Sequence, residues 1–126
     1  MKFLSSIIVL LFLASFASAQ DHYAIVYFGA SWCGPCQKMR REVWGTQEVE
    51  KFVTKDLAPS ADIQIYDIDV DKRQEYAKQW NVTSLPTTIV MKINEKGPTF
   101  PSQEIARKVG FQPMRSLFNF LKDSIK

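Results

Sequence analysis

Apolar positions change their period several times after residue 20, and each change predicts an element. Ala24-Ile25-Val26-Tyr27-Phe28 is an unbroken β-branched and aromatic run bounded by Gly29, the pattern of a buried strand. From Gln37 to about Lys55 the chain becomes charged and periodic. Met39, Val43, Val49, Phe52 and Val53 supply one helical face there, with a bend expected near Gly45. Ile63 to Val70 predicts a second strand, rich in Ile but carrying the carboxylates of Asp67 and Asp69. Asp71 is placed to cap a helix running to about Trp80, with Glu75 in its first turns to complement the dipole. Thr87 to Ile93 predicts a third strand, Asn94 to Pro98 a turn, and Glu104 to Val109 a fourth strand antiparallel to the third, ending at Gly110. From about Pro113 to Ile125 an amphipathic helix places Met114, Leu117, Phe118 and Leu121 on one face. The order β-α-β-α-β-β-α predicts an α/β fold. A mixed central sheet is flanked by helices, with a parallel pair joined by helical crossovers and a hairpin adding an antiparallel edge.

The first 19 residues follow a different logic. Lys2 gives a short positive start, an apolar run extends from Ile7 to Leu13, and Ala17-Ser18-Ala19 has the small-x-small form of a signal-peptidase site. A membrane anchor would need roughly 20 apolar residues, more than this run supplies. The reading is an export segment over 1–19 and one domain over 20–126. A disulfide-permissive location follows: the periplasm or, as the alternative, secretion or a secretory lumen. The chain ends Asp123-Ser124-Ile125-Lys126, which is no lumenal retention signal.

Composition excludes several classes. Hydrophobic residues make up 46% and charged residues 23% of the chain, which is ordinary for a globular domain and foreign to collagen-like or disordered sequence. The net charge of +3 is spread without a block of like charges, so no nucleic-acid or polybasic membrane partner is indicated. Two cysteines, Cys33 and Cys36, are too few to staple a mini-protein. With one histidine, His22, they also fall short of the four ligands a structural zinc site needs, and no metal or cofactor is implied.

The chemistry is concentrated in Trp32-Cys33-Gly34-Pro35-Cys36. A Cys-x-x-Cys that follows a strand and opens a helix sets both sulfurs where peptide dipoles and free N–H groups favour an anion. Cys33, at the exposed end, is the candidate nucleophile; Cys36, one turn in, is the resolving thiol. Gly34 permits the tight turn, and Pro35 needs no N–H in the first helical turn. A purely structural disulfide is the plain alternative, but so short a loop restrains the unfolded chain little. A thiol pKa lowered from about 8.5 to about 7 raises the thiolate fraction roughly 15-fold, and the loss of intrinsic nucleophilicity takes back roughly 5-fold of it. The pair therefore matters more than either thiol.

These residues resemble the thioredoxin family, together with Ser84-Leu85-Pro86-Thr87 before the third strand and Val109-Gly110 before the last helix. The region from Met39 to Val53 is also similar to periplasmic thioredoxin-like domains of the membrane reductant transporter. The resemblance implies a thioredoxin-like fold, a cis Pro86 facing the disulfide, and a Leu85 backbone that pairs with a substrate peptide as a short added strand. It implies a monomeric thiol–disulfide oxidoreductase without cofactor that reduces, or exchanges, the disulfides of protein substrates and is recycled by a redox partner. The alternative is a thioredoxin-like binding or chaperone module without significant turnover. Three departures stand out. Only about a dozen residues of the expected mature chain precede Trp32, where the family has an extra strand and helix. Arg41 replaces the kinking proline of the family's long helix. Tyr27 stands in place of its buried aspartate, and Asp67 stands where a lysine tends to face that aspartate. Asp67 is thus the candidate proton acceptor for Cys36, against the plainer reading of a hydrogen-bonded carboxylate near the surface.

Overall fold

The computed structural model describes residues 21–93 and 102–126. The expected export segment and the turn at Asn94–Pro98 lie outside the described residues. The elements follow the expected order. β1 spans His22–Gly29, α1 Gly34–Met39, α2 Gln47–Lys51, β2 Asp62–Asp69, α3 Gln74–Gln79, β3 Thr87–Ile93, β4 Ser102–Val109 and α4 Met114–Ser124. Wider π-type turns prolong α1 to Trp44 and α2 to Leu57. The expected bend falls at Gly45. A Cβ on Gly45 would stand 2.9 Å from the Arg40 carbonyl oxygen, so the close approach that ends the first helical segment needs glycine. Thr46 then restarts the helix, its Oγ1 accepting from the Val49 N–H.

The sheet order is β2-β1-β3-β4. β1 and β2 are parallel, whereas β1–β3 and β3–β4 are antiparallel. From Tyr23 to Phe28 the central strand β1 is apolar because both its faces are covered. Tyr23, Ile25 and Tyr27 enter one core with Met39, Val43, Val49, Leu117 and Leu121 from the helices. Ala24, Val26 and Phe28 enter the other with Ile89, Met91 and Ile93. The second face is thinly covered. No α3 residue is fully buried; Tyr76 and Trp80 only lean on this core, and an apolar cavity of about 230 Å³ remains between them and the sheet.

One local expectation is corrected. Asp71 does not cap α3: the helix starts after Arg73, whose side chain makes no capping bond, and the Asp71 carboxylate is taken by Trp32. The turn is closed by Asp69, whose backbone oxygen accepts from the N–H groups of Lys72 and Arg73. On α4 the buried stripe is Leu117, Phe120 and Leu121, with Met114 and Phe118 only partly covered. Phe118 packs on the same core through Phe52, with 4.0 Å between ring centroids. No described helix is long and apolar enough to cross a membrane.

Candidate active site

The strand β1 stops at Gly29, and four residues later the chain enters α1 with Cys33 as the residue before its first turn. Cys33 is held extended there, its N–H bonded to the Ala30 carbonyl, and its Sγ accepts the Cys36 N–H at 3.3 Å. Pro35 occupies the first turn, where a missing N–H is harmless. The two sulfurs are joined, with 5.2 Å between the Cα atoms. Cys36 is fully buried and Cys33 is 7% exposed, so the nucleophile is less open than its position suggested, yet it remains the more accessible of the two.

Three distant stretches converge on this pair. The Leu85–Pro86 peptide is cis, as the resemblance implied. Leu85 packs on Cys33 and Cys36 together with Val70. Gly110, at φ +93°, donates its N–H to the Pro86 carbonyl at 2.7 Å and so ties the end of β4 to the proline. Trp32 is 70% exposed, and its indole N–H donates to Asp71 Oδ2 at 2.8 Å. An open groove runs from Trp32 and Cys33 past Val70, Asp71 and Gln74 to Leu85. The Cys33 end of the disulfide borders this partly apolar trough.

The inner side of the pair is different. Tyr27 lies on β1 below the helix start, and its hydroxyl donates to the Cys36 carbonyl at 2.8 Å. Burial pushes its pKa up to about 12, with Arg40 opposing and Asp67 adding to the rise, so the phenol is neutral at physiological pH. Asp67, the candidate proton acceptor, is brought to Arg40: Nη2 donates to Oδ1 at 2.7 Å, and half of the Asp67 side chain is exposed. This hydrogen bond holds the Arg40 guanidinium protonated still more firmly, although burial works against it. Arg40 also donates to Gln37 Oε1, and Gln37 in turn donates to the Ala30 carbonyl. The residues that sequence reasoning missed are therefore Arg40 and Gln37. A signal existed, because Arg40 stands four residues after Cys36 and so shares its helix face. Among the described residues no cluster of His, Cys, Asp or Glu could hold a metal ion.

The comparisons with known proteins agree with this geometry. The thioredoxin family model matches residues 11–123, a span that begins within the stretch read as an export segment. Thioredoxin-1 of Saccharomyces cerevisiae is 33% identical over 97 residues, covering 77% of this chain and 77% of its own length. A solved malarial protein superposes with a TM-score of 0.59 at 26% identity, over 83% of this chain and 99% of its own. A thioredoxin from Thermus thermophilus superposes with a TM-score of 0.60 at 23% identity, over 81% and 72% of the two chains, and supports the fold alone. The chain belongs to the thioredoxin family of disulfide oxidoreductases and carries a disulfide-forming Cys33–Cys36 pair.

Proposed function

We propose that this chain is an exported oxidoreductase that reduces protein disulfides in the periplasm or, alternatively, in a secreted or secretory-lumen setting. The setting of Cys33 carries the reading: of the two bonded sulfurs it is the one bordering an open groove, and it accepts a backbone N–H at a helix start. In the reduced protein the Cys33 thiolate attacks one sulfur of a substrate disulfide. A Cys33–substrate bond forms, the substrate S–S bond breaks, and the released thiolate takes a proton from water. Cys36, as thiolate, then attacks Cys33 Sγ. The Cys33–Cys36 bond closes, the second substrate thiol leaves, and two electrons have passed from protein to substrate. Leu85 and Pro86 are assigned to substrate binding, Leu85 beside Cys33 in the groove and its backbone pairing with the substrate strand. The oxidised pair must be recycled by a partner that donates two electrons.

Reduction of insulin by dithiothreitol tests this. Catalytic amounts of the protein should hasten precipitation of the insulin B chain, and the Cys33→Ser variant should not. A wild-type rate equal to the uncatalysed one rejects the reductase reading in favour of a binding module. Export is tested separately by the mass of protein recovered outside the cytosol: a chain beginning at Gln20 is expected, and an intact residue 1 overturns it.

A further inference from the structure

The resolving step requires Cys36 to lose its proton, and burial alone makes this harder. Cys36 has no exposure and packs against Ala30, Val70 and Leu85, surroundings that raise a thiol's pKa. The charged and titratable groups facing it from each element are few. Tyr27 on β1 is a hydrogen-bond donor whose own pKa lies near 12, so it cannot accept a proton near neutrality. Asp67 on β2 already carries the Arg40 guanidinium, and Asp69 adds its field on Arg40. Thr87 and Thr88 on the neighbouring strand are buried but do not titrate. Arg40 remains.

Its position is fixed by Gly29. A Cβ at that residue would stand 3.3 Å from Cys36 Cβ and 3.6 Å from Arg40 Nη2, so cysteine and guanidinium border the same small gap. The guanidinium is anchored on Asp67 and Gln37, lies 5.9 Å from the Tyr27 ring centre, and has a buried Nε with no hydrogen-bond partner. It is poised as a fixed positive charge. These two distances put Arg40 Nη2 within about 7 Å of Cys36 Cβ, and at an effective dielectric of about 20 a unit charge that far away alters a neighbour's ionisation equilibrium by roughly fifty-fold, part of which the Asp67 counter-charge removes.

We propose that Arg40 activates Cys36 by charge: its guanidinium favours the Cys36 thiolate while the mixed disulfide on Cys33 is present, and the proton leaves to water. Asp67 is then the residue that aims Arg40 and moderates its charge, and it does not take the proton. The inference rests on the oxidoreductase reading of the same cysteine pair. The step balances as before: Cys36 gives up one proton to water, a Cys33–Cys36 bond forms, and the bond between Cys33 and the leaving sulfur breaks.

The test uses the reduced protein with dithiobis-nitrobenzoate, which releases one coloured thiolate when Cys33 attacks and a second when Cys36 resolves. Arg40→Met should slow the second release about tenfold at pH 7 and move its pH midpoint up by about one unit, with Arg40→Lys restoring most of both. Asp67→Asn keeps an oxygen to accept from Arg40 Nη2, and so keeps its aim, and should move the midpoint down because it removes the opposing charge; a proton acceptor's loss would slow the step instead. An unmoved midpoint in Arg40→Met, or a slowed second release in Asp67→Asn, overturns the proposal. Arg40→Lys and Asp67→Asn keep the test decisive should Arg40→Met unfold. Because a small disulfide is used, the outcome is independent of whether insulin is reduced.

Discussion

Cys33 and Cys36 are bonded to each other, yet their surroundings have little in common. On the Cys33 side stand an exposed indole, the carboxylate that holds its N–H, and a groove open to solvent. On the Cys36 side stand a buried phenol, a guanidinium locked in an ion pair and a glycine with no room to spare. The outer region is built to meet another chain. The inner one sets a half-buried ion pair beside a fully buried sulfur, where a single cation has more effect than on the open surface. Less than one turn of helix separates the two tasks, because the strand's end supplies Tyr27 and Gly29 below while the loop supplies Trp32 above.

The most severe way to test this division is to remove one sulfur at a time. Cys33→Ser should abolish turnover, a loss of at least about three orders of magnitude, since the attacking group itself is gone. Cys36→Ser should also stop turnover but leave the first attack intact, so that mixed disulfides accumulate and can be isolated on non-reducing gels. Partners trapped by Cys33→Ser instead would reverse the assignment. Gly29→Ala comes next. Its methyl would press on Cys36 Cβ at 3.3 Å inside a buried site, and overpacking of this kind costs about 1–3 kcal/mol, readable in urea unfolding. The same variant should perturb the resolving step more than the first attack.

Tyr27→Phe removes one buried hydrogen bond and should cost about 1 kcal/mol. It should leave the pH profile of the resolving step unchanged between pH 6 and 9, since the phenol is neutral throughout that range. The difference appears in alkali. With its folded pKa raised to about 12 from 10, Tyr27 contributes stability that is fully present below pH 10 and lost as pH rises towards 12, because the unfolded chain releases the proton first. Unfolding midpoints measured across pH 9–12 should fall in the wild type and fall less in Tyr27→Phe. The smallest effect belongs to the exposed side. Asp71→Ala breaks only the solvent-facing bond to Trp32 and should change stability by less than about 1 kcal/mol. Its signature is a change in Trp32 fluorescence.

The same contrast decides what could be read from the sequence. The outer side was legible because its chemistry is local: Cys33, Gly34, Pro35 and Cys36 are consecutive, and each residue type has its own reason in a strand-to-helix turn. The strands were legible too, since Ala24–Phe28 and Thr87–Ile93 are apolar enough to allow no other use. Contacts between remote charges were not. Asp71 resembled a cap, but its carboxylate found an indole 39 residues upstream. Asp67 looked like an unpaired carboxylate in an Ile-rich strand, whereas Arg40, 27 residues away and on another element, holds it. The resemblance already set Asp67 opposite Tyr27, as the parallel register does, but nothing in the spacing reports which cation reaches that carboxylate. Phe120 was missed on α4 for a smaller reason: Leu117, Phe120 and Leu121 form an i, i+3, i+4 face that competes with the one through Phe118.

That this pair works as a reductant is the claim on which the functional account turns, and equilibration with glutathione measures it. The Gly34–Pro35 dipeptide is the one used by thioredoxin, whose potential lies near −270 mV, whereas the strong periplasmic oxidant near −120 mV owes its value to a far more stabilised reduced form. The account predicts a potential for Cys33–Cys36 below about −220 mV, and a value above about −150 mV would contradict it and make the protein a disulfide donor.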